Sequence, residues 1–485
     1  MPLFAPAPTD ALKARYGERY RWLLLMALMV GTIASIIPST SVNVAIPAMS
    51  DYFGLGQERA QWITSAFMVA STVAMLVTPW MLSRFGYRAT YAYAVLLLMV
   101  GGIVGGFAQH FELMLFSRMA EGIAAGIIQP IPAVIILRAF QPHEQGRAGG
   151  IFGMGVVLAP AIAPALGGLL VDWMGWRSTF FMVVPPCLLS LWLAWKLVPT
   201  SSPDSGAPST SNKLDVLGLG LVTAGTLSIL NALVAFHHSH SEAAVLLAVA
   251  VVCLLAFIVW QKRLLRLQRK PLMDLRLFGY RPFVMGCIVA FIYGTAMFGS
   301  TYLLPVFIQM GLGLSASYAG NLLLPAGIVL AITIPLVGRM ADKQPTHWLV
   351  SIGMLLLAAS FALMMWAGPG MALWVLAGFI IVGRIGLGFI LPSLNLGAMR
   401  PLDRALIAQG SSAISFIRML GGAIGVGLCG IVLEWRLAVQ AANPALTELQ
   451  GRITAFHESF AMLTLLCLLA FIAATQLRSP KKSVT

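Results

Sequence analysis

Apolar residues in this chain come in long blocks, and block length restricts how it can fold more than any other feature. Fourteen blocks run at approximately 22–48, 60–82, 89–108, 113–137, 146–171, 178–198, 215–236, 242–261, 282–310, 317–338, 347–367, 371–398, 405–434 and 456–477. A helix needs about 20 mostly apolar residues to cross roughly 30 Å of hydrocarbon. Barrel strands would be about 10 residues long and strictly alternating. Because only helices and closed barrels satisfy the backbone in lipid, the blocks predict fourteen transmembrane helices.

Composition supports this interpretation. Hydrophobic residues make up 59% of the 485-residue chain and charged residues only 10%, whereas a soluble domain usually carries about 25% charged residues. The formal charge is +14, but the basic residues sit in short loops and do not alternate with aromatic residues, which argues against nucleic acid as a partner. The five cysteines all lie inside blocks without metal-ligand spacing, so we predict no metal site.

The distribution of Lys and Arg predicts the orientation, because cytoplasmic loops carry an excess of both. With a cytoplasmic N-terminus, most of the 31 basic residues fall in cytoplasmic segments. The exceptions are Arg59, Arg177, Arg436 and Arg452 in outer loops, and Arg118, Arg384 and Arg418 inside blocks. This asymmetry predicts a multi-pass protein of the plasma membrane, in a bacterium the inner membrane, with both termini in the cytoplasm.

Polar and basic segments between the blocks predict the domain organisation. "SSPDSGAPSTSNK" (201–213) is typical of a flexible linker, and the basic stretch at 261–281 is typical of a segment lying on the inner membrane surface. The predicted division is a cytoplasmic N-terminal segment (1–21), a six-helix bundle (22–200), a cytoplasmic linker (201–214), a two-helix insert (215–261), a basic amphipathic cytoplasmic segment (262–281), a second six-helix bundle (282–477) and a cytoplasmic tail (478–485).

The two bundles show signs of an internal repeat. The fourth block contains Arg118 and Gln129, and the twelfth contains Arg384 and Asn395, so an arginine precedes an amide by eleven residues in both. Eleven residues at about 100° each return to nearly the same helix face. Repeats of this kind usually meet at a binding site near the membrane midplane.

Several motifs resemble those of the major facilitator superfamily, in its fourteen-span drug:proton antiporter branch, and the similarity covers nearly the whole chain. "STSVNVAIP" (39–47) is similar to the first-span motif and "RMAEGIAAG" (118–126) to the fourth-span motif, whose arginine is linked to proton coupling. "APAIAPALGG" (159–168) resembles the fifth-span motif of exporters, and "SRFGYR" (83–88) and "GRMADK" (338–343) resemble the gating motif of the inner loops. The resemblance implies an all-α major-facilitator fold, with two six-helix bundles and a two-helix central insert, working in multidrug efflux.

The resemblance also implies roles for individual residues. It assigns gating to Arg84, Gly86, Arg88, Asp342 and Lys343 of the inner loops and to Pro160, Pro164, Gly167 and Gly168 of the fifth span, although these last four could simply allow close packing. The chain departs from the family pattern at Pro38 and Ser83, where aspartates are usual, and at Glu121, where glutamine is common. An acid is therefore missing from the first span and present on the fourth.

Glu121 is the main candidate for chemistry, because it is the one carboxylate placed well inside a block. A bare charge in hydrocarbon is costly, so an intramembrane acid suggests a function. Arg118 lies three residues earlier, on the same helix face. We predict that Glu121 and Arg118 form a proton-coupling site. A static ion pair that only positions the helix is the alternative.

A substrate cavity is predicted from polar and aromatic residues inside the blocks: Ser39, Asn43, Gln129, Tyr293, Arg384, Asn395 and Arg418. Arg384 and Arg418 have no acidic partner within their blocks, so they could bind anionic groups of a substrate or backbone carbonyls. Tyr293 could stack on an aromatic ligand or pack within the protein.

The sequence lacks the GxxxxGK[ST] loop that cradles phosphates, and it shows no haem, iron–sulfur or zinc pattern. We therefore predict no cofactor, with a proton gradient as the energy source. The leading hypothesis is a secondary active transporter, not an enzyme, that exports small hydrophobic or amphipathic molecules by alternating access. The expected partners are this substrate, protons and the lipid bilayer, and a periplasmic adaptor protein is left open. A lipid or fatty-acid exporter, a membrane-embedded lipid enzyme and a non-transporting sensor are the alternatives.

Overall fold

Helices are the only regular elements in the part of the chain that the computed structural model describes, which is 9–55, 57–200, 213–236, 239–314, 316–442 and 447–477. Most of the predicted linker 201–214, together with the tail 478–485, lies outside it. The α-helices are α1 (Thr9–Tyr16), α2 (Tyr20–Phe53), α3 (Gln57–Ala74), α4 (Thr78–Gly106), α5 (Phe111–Ile128), α6 (Ile131–Ala139), α7 (Gln145–Met174), α8 (Ser178–Phe181), α9 (Val184–Leu197), α10 (Val216–Ala235), α11 (His240–Arg266), α12 (Arg281–Val306), α13 (Ala316–Lys343), α14 (Thr346–Met364), α15 (Leu373–Met399), α16 (Ile407–Ala441) and α17 (Glu448–Thr475).

Twelve helical segments of the described residues are long and apolar enough to cross a membrane, which makes this a multi-pass membrane protein. One of them, Trp62–Gly106, has 45 residues. At about 1.5 Å per residue it is twice as long as a hydrocarbon layer is thick, and it covers the predicted spans 60–82 and 89–108. The helix α7, which covers the predicted fifth span, is 30 residues long but is not among the twelve. The count of fourteen spans therefore stays a prediction.

The chain divides into two units, and the first comprises Met1–Thr223, Phe257–Asp274 and Asp403–Phe416. In it, α2 packs against α5, α7 and α9, while α5 packs against α3 and α4, and α4 against α9. Buried apolar side chains from these helices, including Leu24, Leu98 and Ile128, form its main core. The helix α5 thus lies among α2, α3 and α4.

The second unit comprises Ala224–Ala256, Leu275–Leu402 and Ile417–Thr485. In it, α12 packs against α15 and α17, while α15 packs against α13 and α14, and α14 against α17. These pairings repeat those of the first unit when α2, α3, α4, α5 and α9 are matched with α12, α13, α14, α15 and α17. The recurrence is what an internal repeat produces, and it makes α15 the counterpart of α5.

Hydrogen bonds join the ends of α10 and α11, the helices of the predicted insert. The carboxylate of Asp215 accepts from the indole Nε1 of Trp260 at 2.8 Å and from the side-chain amide of Gln261 at 2.7 Å. It also accepts from the backbone N–H of Gly218 at 2.9 Å, so it satisfies one of the free N–H groups at the start of α10. Asp215 therefore caps the start of α10 and connects it to α11 by hydrogen bonds.

Candidate functional site

The side chains of Arg118 and Glu121 form an ion pair inside the first unit. They lie one turn apart on α5, and Nη1 of Arg118 is 2.7 Å from Oε2 of Glu121. Both side chains are completely buried. A buried charge is stable only when it is paired and hydrogen-bonded, and the spacing of three residues on one helix supplies the pairing.

Neighbouring α3 provides further contacts for the arginine. Nε of Arg118 donates to the backbone carbonyl of Ile63 at 2.9 Å, and the guanidinium lies over the ring of Phe67, 4.6 Å from its centroid. The two helices can approach this closely because of Gly122, where a Cβ would lie only 3.0 Å from Cα of Phe67. Arg118 is therefore held by α3 as well as by Glu121.

Glu121 is less completely satisfied than its partner. Its Oε1 and Nη2 of Arg118 are buried and have no hydrogen-bond partner among the described residues. On the α4 side the carboxylate meets glycines: a Cβ at Gly101 would lie 2.9 Å from Cγ of Glu121, and one at Gly102 would lie 3.6 Å from Oε1. One carboxylate oxygen is thus engaged by the arginine, and the other makes no hydrogen bond within the described part of the chain.

Three other residues of the predicted cavity lie in the first unit. Ser39 is partly buried on α2, and its hydroxyl donates to the carbonyl of Ile36 at 2.6 Å. Asn43 is also on α2, but its side chain lies outside the described part of the structure. Gln129 is partly buried and follows the last residue of α5, at the break between α5 and α6.

The remaining predicted cavity residues lie in the second unit. Tyr293 on α12 is buried, and Arg384 on α15 and Arg418 on α16 are partly buried. Both guanidinium groups lie near enough to the side chain of Tyr293 for their charges to act on it. Asn395 is partly buried about three turns beyond Arg384 on α15. The structure therefore brings two arginines and a tyrosine from three different helices together.

The first gating segment marks a break in α4. Gly86 has a φ of 77° and a ψ of −179°, which interrupts the helix. Beside it, Nε of buried Arg88 donates to the carbonyl of Val198 at 2.7 Å, and its backbone N–H donates to the carbonyl of Pro199 at 3.1 Å. Arg84 is partly buried on the preceding turn. Hydrogen bonds therefore connect this segment to the residues that follow α9.

The second gating segment ends α13, where Asp342 lies 3.7 Å from Arg400 and Lys343 is exposed. In the fifth-span motif, a Cβ at Gly167 would lie 3.1 Å from Cβ of Ser41 on α2, and one at Gly168 would lie 3.7 Å from Val44. Pro160 is partly buried, and the side chain of Pro164 is outside the described part. The two glycines allow close packing of α7 on α2, and a gating role for these residues stays a prediction.

Sequence reasoning missed the α3 partners of Arg118, because neither a backbone carbonyl nor a single phenylalanine has a recognisable signature. It also missed an ion pair between Arg436 and Glu458, in which the side chain of Gln440 donates to the same carboxylate at 3.2 Å. Arg436 was assigned to an outer loop, and Glu458 lies at the edge of a block. In the structure Arg436 lies inside α16 and Glu458 inside α17, because α16 continues beyond the predicted end of its block.

Comparisons with known proteins agree with this architecture. The family model described as Major Facilitator Superfamily matches residues 23–426. The multidrug export protein EmrB of Haemophilus influenzae is 27% identical over 90% of this chain and 85% of its own length. YcnB of Bacillus subtilis, an uncharacterized MFS-type transporter, is 26% identical over 95% of this chain and 96% of its own length.

A solved structure shows the same fold at a lower identity. The proton:xylose symporter XylE matches with a TM-score of 0.65 and 14% identity, over 93% of this chain and 95% of that chain. This likeness supports the fold alone. The family match over most of the sequence shows that the chain belongs to the Major Facilitator Superfamily and is a membrane transporter, not an enzyme.

Proposed function

We propose that this protein is a proton-coupled exporter of small hydrophobic or amphipathic molecules, a secondary active transporter that works by alternating access. The observation that carries the proposal is the buried Arg118–Glu121 pair, in which one carboxylate oxygen has no hydrogen-bond partner among the described residues. Relatives named as multidrug export proteins support the class of cargo. Fourteen spans in a bacterial inner membrane, with cytoplasmic termini, complete the proposal.

Glu121 is suited to exchanging a proton because two opposing effects act on it. Burial in an apolar environment favours the neutral acid, whereas the adjacent Arg118 favours the carboxylate. When the acid takes a proton at Oε1, the ion pair with Arg118 is lost. Arg118 then keeps its contacts with Ile63 and Phe67 on α3. Protonation thus breaks the ion pair within α5 and leaves the contacts between α5 and α3 in place.

Gradient-driven transport by Glu121→Gln tests this mechanism. Everted membrane vesicles energised with a proton gradient would be given the fluorescent amphiphile N-phenyl-1-naphthylamine, with and without an uncoupler. We expect wild-type uptake into everted vesicles to vanish with the uncoupler. Glu121→Gln should lose about tenfold or more of the gradient-driven rate, because the amide cannot carry a proton. Probe-for-probe exchange without a gradient should persist.

Glu112→Gln is the matched control, because Glu112 is exposed in the first turn of the same helix. It should transport like wild type. Wild-type gradient-driven transport by Glu121→Gln would remove Glu121 from proton coupling. A loss of exchange and gradient-driven transport together, in a variant that is correctly folded, would indicate a static ion pair instead.

One observation favours a second kind of cargo on the same fold. Well inside the apolar blocks there are three arginines, Arg118, Arg384 and Arg418, but a single glutamate, Glu121. This excess of positive charge is unexpected for an exporter of cations and suits an exporter of lipid or fatty acid. The two kinds of cargo differ in the charge of the substrate. The cluster of Tyr293, Arg384 and Arg418 is the part of the structure where that charge matters.

A further inference from the structure

We propose that Tyr293, Arg384 and Arg418 form an oxyanion-binding subsite within the second unit, and that it takes the carboxylate of a single-chain amphipathic substrate. This inference rests on the proposed function, because it specifies the substrate class of the same transporter. It concerns a site separate from the Arg118–Glu121 pair.

The two arginines of this subsite lack the partners that Arg118 has. Arg118 makes a carboxylate ion pair, donates to a carbonyl and contacts an aromatic ring. Arg384 and Arg418 form no hydrogen bond or ion pair with other residues in the described part of the chain. Both are partly buried, so their charges are neither compensated nor fully hydrated. An anion would supply the missing compensation.

Two acidic residues of the second unit pair with arginines other than Arg384 and Arg418. Asp342 lies against Arg400, and Glu458 pairs with Arg436. Glu434 is on α16, sixteen residues from Arg418, which is about 24 Å along a helix. No described acid of this unit therefore pairs with Arg384 or Arg418. Their two positive charges remain, and they repel a cation and attract an oxyanion.

Helix packing fixes two of the three groups relative to each other. A Cβ at Gly294 would lie 3.0 Å from the backbone carbon of Arg418, so α12 and α16 touch through their backbones at this point. One residue further on, the hydroxyl of Thr295 donates to the carbonyl of Gly421 at 2.9 Å. Tyr293 and Arg418 are thus neighbours on crossing helices. Arg384 joins them from α15, which also packs against α12.

The chemistry of these groups suits a carboxylate. A guanidinium presents a planar fork of N–H donors that matches the two oxygens of a carboxylate, and a phenol can donate a third hydrogen bond. The hydroxyl of Tyr293 is not hydrogen-bonded to other described residues, which leaves it available. Next to the subsite, the partly buried Phe298 lies against α16, where a Cβ at Gly422 would be 3.0 Å from its Cε2. An apolar chain attached to the carboxylate can therefore pack against Phe298.

Binding of a matched acid and ester tests the subsite. The purified full-length protein in phosphatidylcholine nanodiscs would be titrated with 11-(dansylamino)undecanoic acid and with its methyl ester, without any pH gradient. We expect wild type to bind the acid about tenfold or more tightly than the ester, because the ester cannot pair with a guanidinium. Arg384→Gln and Arg418→Gln should each remove most of this preference while ester binding stays the same. Tyr293→Phe should lower acid affinity a few-fold.

Arg452→Gln is the control, because Arg452 lies near the start of α17 and already has an acidic partner, with its Nη2 3.8 Å from Oε1 of Glu448. It should keep the full preference for the acid. Equal binding of acid and ester by wild type, or an unchanged preference in both arginine variants, would overturn the proposal. If an arginine variant fails to fold, the affinities of wild type for the acid and for the ester still test the proposal.

A lipid phosphate is the other source of an oxyanion, and a second set of nanodiscs distinguishes it. If phosphatidylglycerol displaces the acid from wild type but not from Arg384→Gln, the natural occupant is a lipid headgroup and the proposal falls. Glu121→Gln separates this inference from the mechanism of coupling. It should bind the acid like wild type, so a failure of proton coupling leaves the acid preference intact, and a missing preference leaves coupling intact.

Discussion

Three arginines lie inside the apolar blocks, and their surroundings differ in a way that separates two tasks. Arg118 is fully buried and has a carboxylate, a carbonyl and an aromatic ring around it. Arg384 and Arg418 are partly buried and face a tyrosine, without an acid. A fully buried charge must be paired within the protein, whereas a partly buried charge can remain unpaired until a ligand binds. This contrast is the reason why we propose proton exchange for the first unit and recognition of the substrate's charge for the second.

Gly86 is a residue whose backbone allows a further prediction. Its φ of 77° with a ψ of −179° belongs to a region that is essentially restricted to glycine. A Cβ at this position would also collide with the carbonyl oxygen of Thr200. We expect Gly86→Ala to lower the free energy of unfolding by about 1–3 kcal/mol, measured as a lower melting temperature of the protein purified in detergent.

Gly149→Ala is the control for this prediction. Gly149 lies inside α7, and a Cβ there would meet no atom within 4 Å. Alanine in a helix interior gains about 0.5–1 kcal/mol over glycine, so this variant should melt at the wild-type temperature or above. Equal melting temperatures for Gly86→Ala and wild type would show that the segment relaxes around the new methyl group.

Sequence reasoning reached the pairing of Arg118 with Glu121, because residues three apart on a helix share a face. It could not reach the other contacts of Arg118. Ile63 participates through a carbonyl that every residue possesses, and Phe67 is one of 25 phenylalanines. Contacts between distant parts of the chain depend on helix packing, which one sequence does not reveal. The electrostatic link of Tyr293 to both arginines was hidden for the same reason.

At the scale of elements, glycines decide which helices touch. In lipid, helices associate through close packing and hydrogen bonds, and small residues let their backbones approach. In the first unit Gly167 lets α7 approach α2 at Ser41. In the second unit Gly294 and Gly421 do the same for α12 and α16. The glycine of α7 was found through motif resemblance, while those of α12 and α16 belong to no motif that we recognised.

The predicted span at 113–137 corresponds to one segment long and apolar enough to cross a membrane, Phe111–Ala139, although its hydrogen bonding divides it into α5 and α6. Gln129 and Pro130 lie between the two helices and keep right-handed helical backbone angles. Because proline has no backbone N–H, one hydrogen bond of the helix is missing at this point. The counterpart α15 runs through Pro392 as one helix. Hydrophobicity locates a span, but whether a proline interrupts its hydrogen bonding depends on how neighbouring helices satisfy the freed backbone groups.

The crossing of α12 and α16 yields a prediction at this scale. A Cβ at Gly421 would press against the backbone of Phe291, where the carbonyl carbon would be 2.8 Å away. Because backbone atoms cannot rotate aside, the helices must separate. We expect Gly421→Ala to destabilise the protein by about 1–3 kcal/mol and to weaken binding of the dansyl acid, since Arg418 moves with α16.

Gly430→Ala on the same helix is the matched control. A Cβ there would lie 4.0 Å from the hydroxyl of Tyr302, which is ordinary contact. Its melting temperature should equal or exceed that of wild type, and its acid affinity should equal that of wild type. If both variants melted alike, close packing at Gly421 would not be what holds α12 and α16 together.

At the scale of the whole molecule, block length and basic residues carry most of the information about the fold. They indicated a helical multi-pass membrane protein, which the structure and the family match confirm. They did not settle the number of spans, because the described residues contain twelve membrane-length segments, one of which, Trp62–Gly106, covers two predicted spans with a break at Gly86 between them. Orientation rests on the positive-inside rule and stays a prediction.

Single cysteines in the loops of the intact protein test orientation and span number together. The predicted insert crosses the membrane twice, so Ser239 should be outside and Gln268 inside, while Glu448 at the start of α17 should be outside. A membrane-impermeant maleimide should therefore label Ser239→Cys and Glu448→Cys in intact cells, and Gln268→Cys only after permeabilisation. Wild type supplies the background, since its five cysteines are buried or partly buried. Labelling of Ser239→Cys and Gln268→Cys from the same side would remove one crossing of the insert, and the even span count with it. If all three cysteines were labelled from the opposite sides, the fourteen spans would stand and the predicted orientation would be reversed.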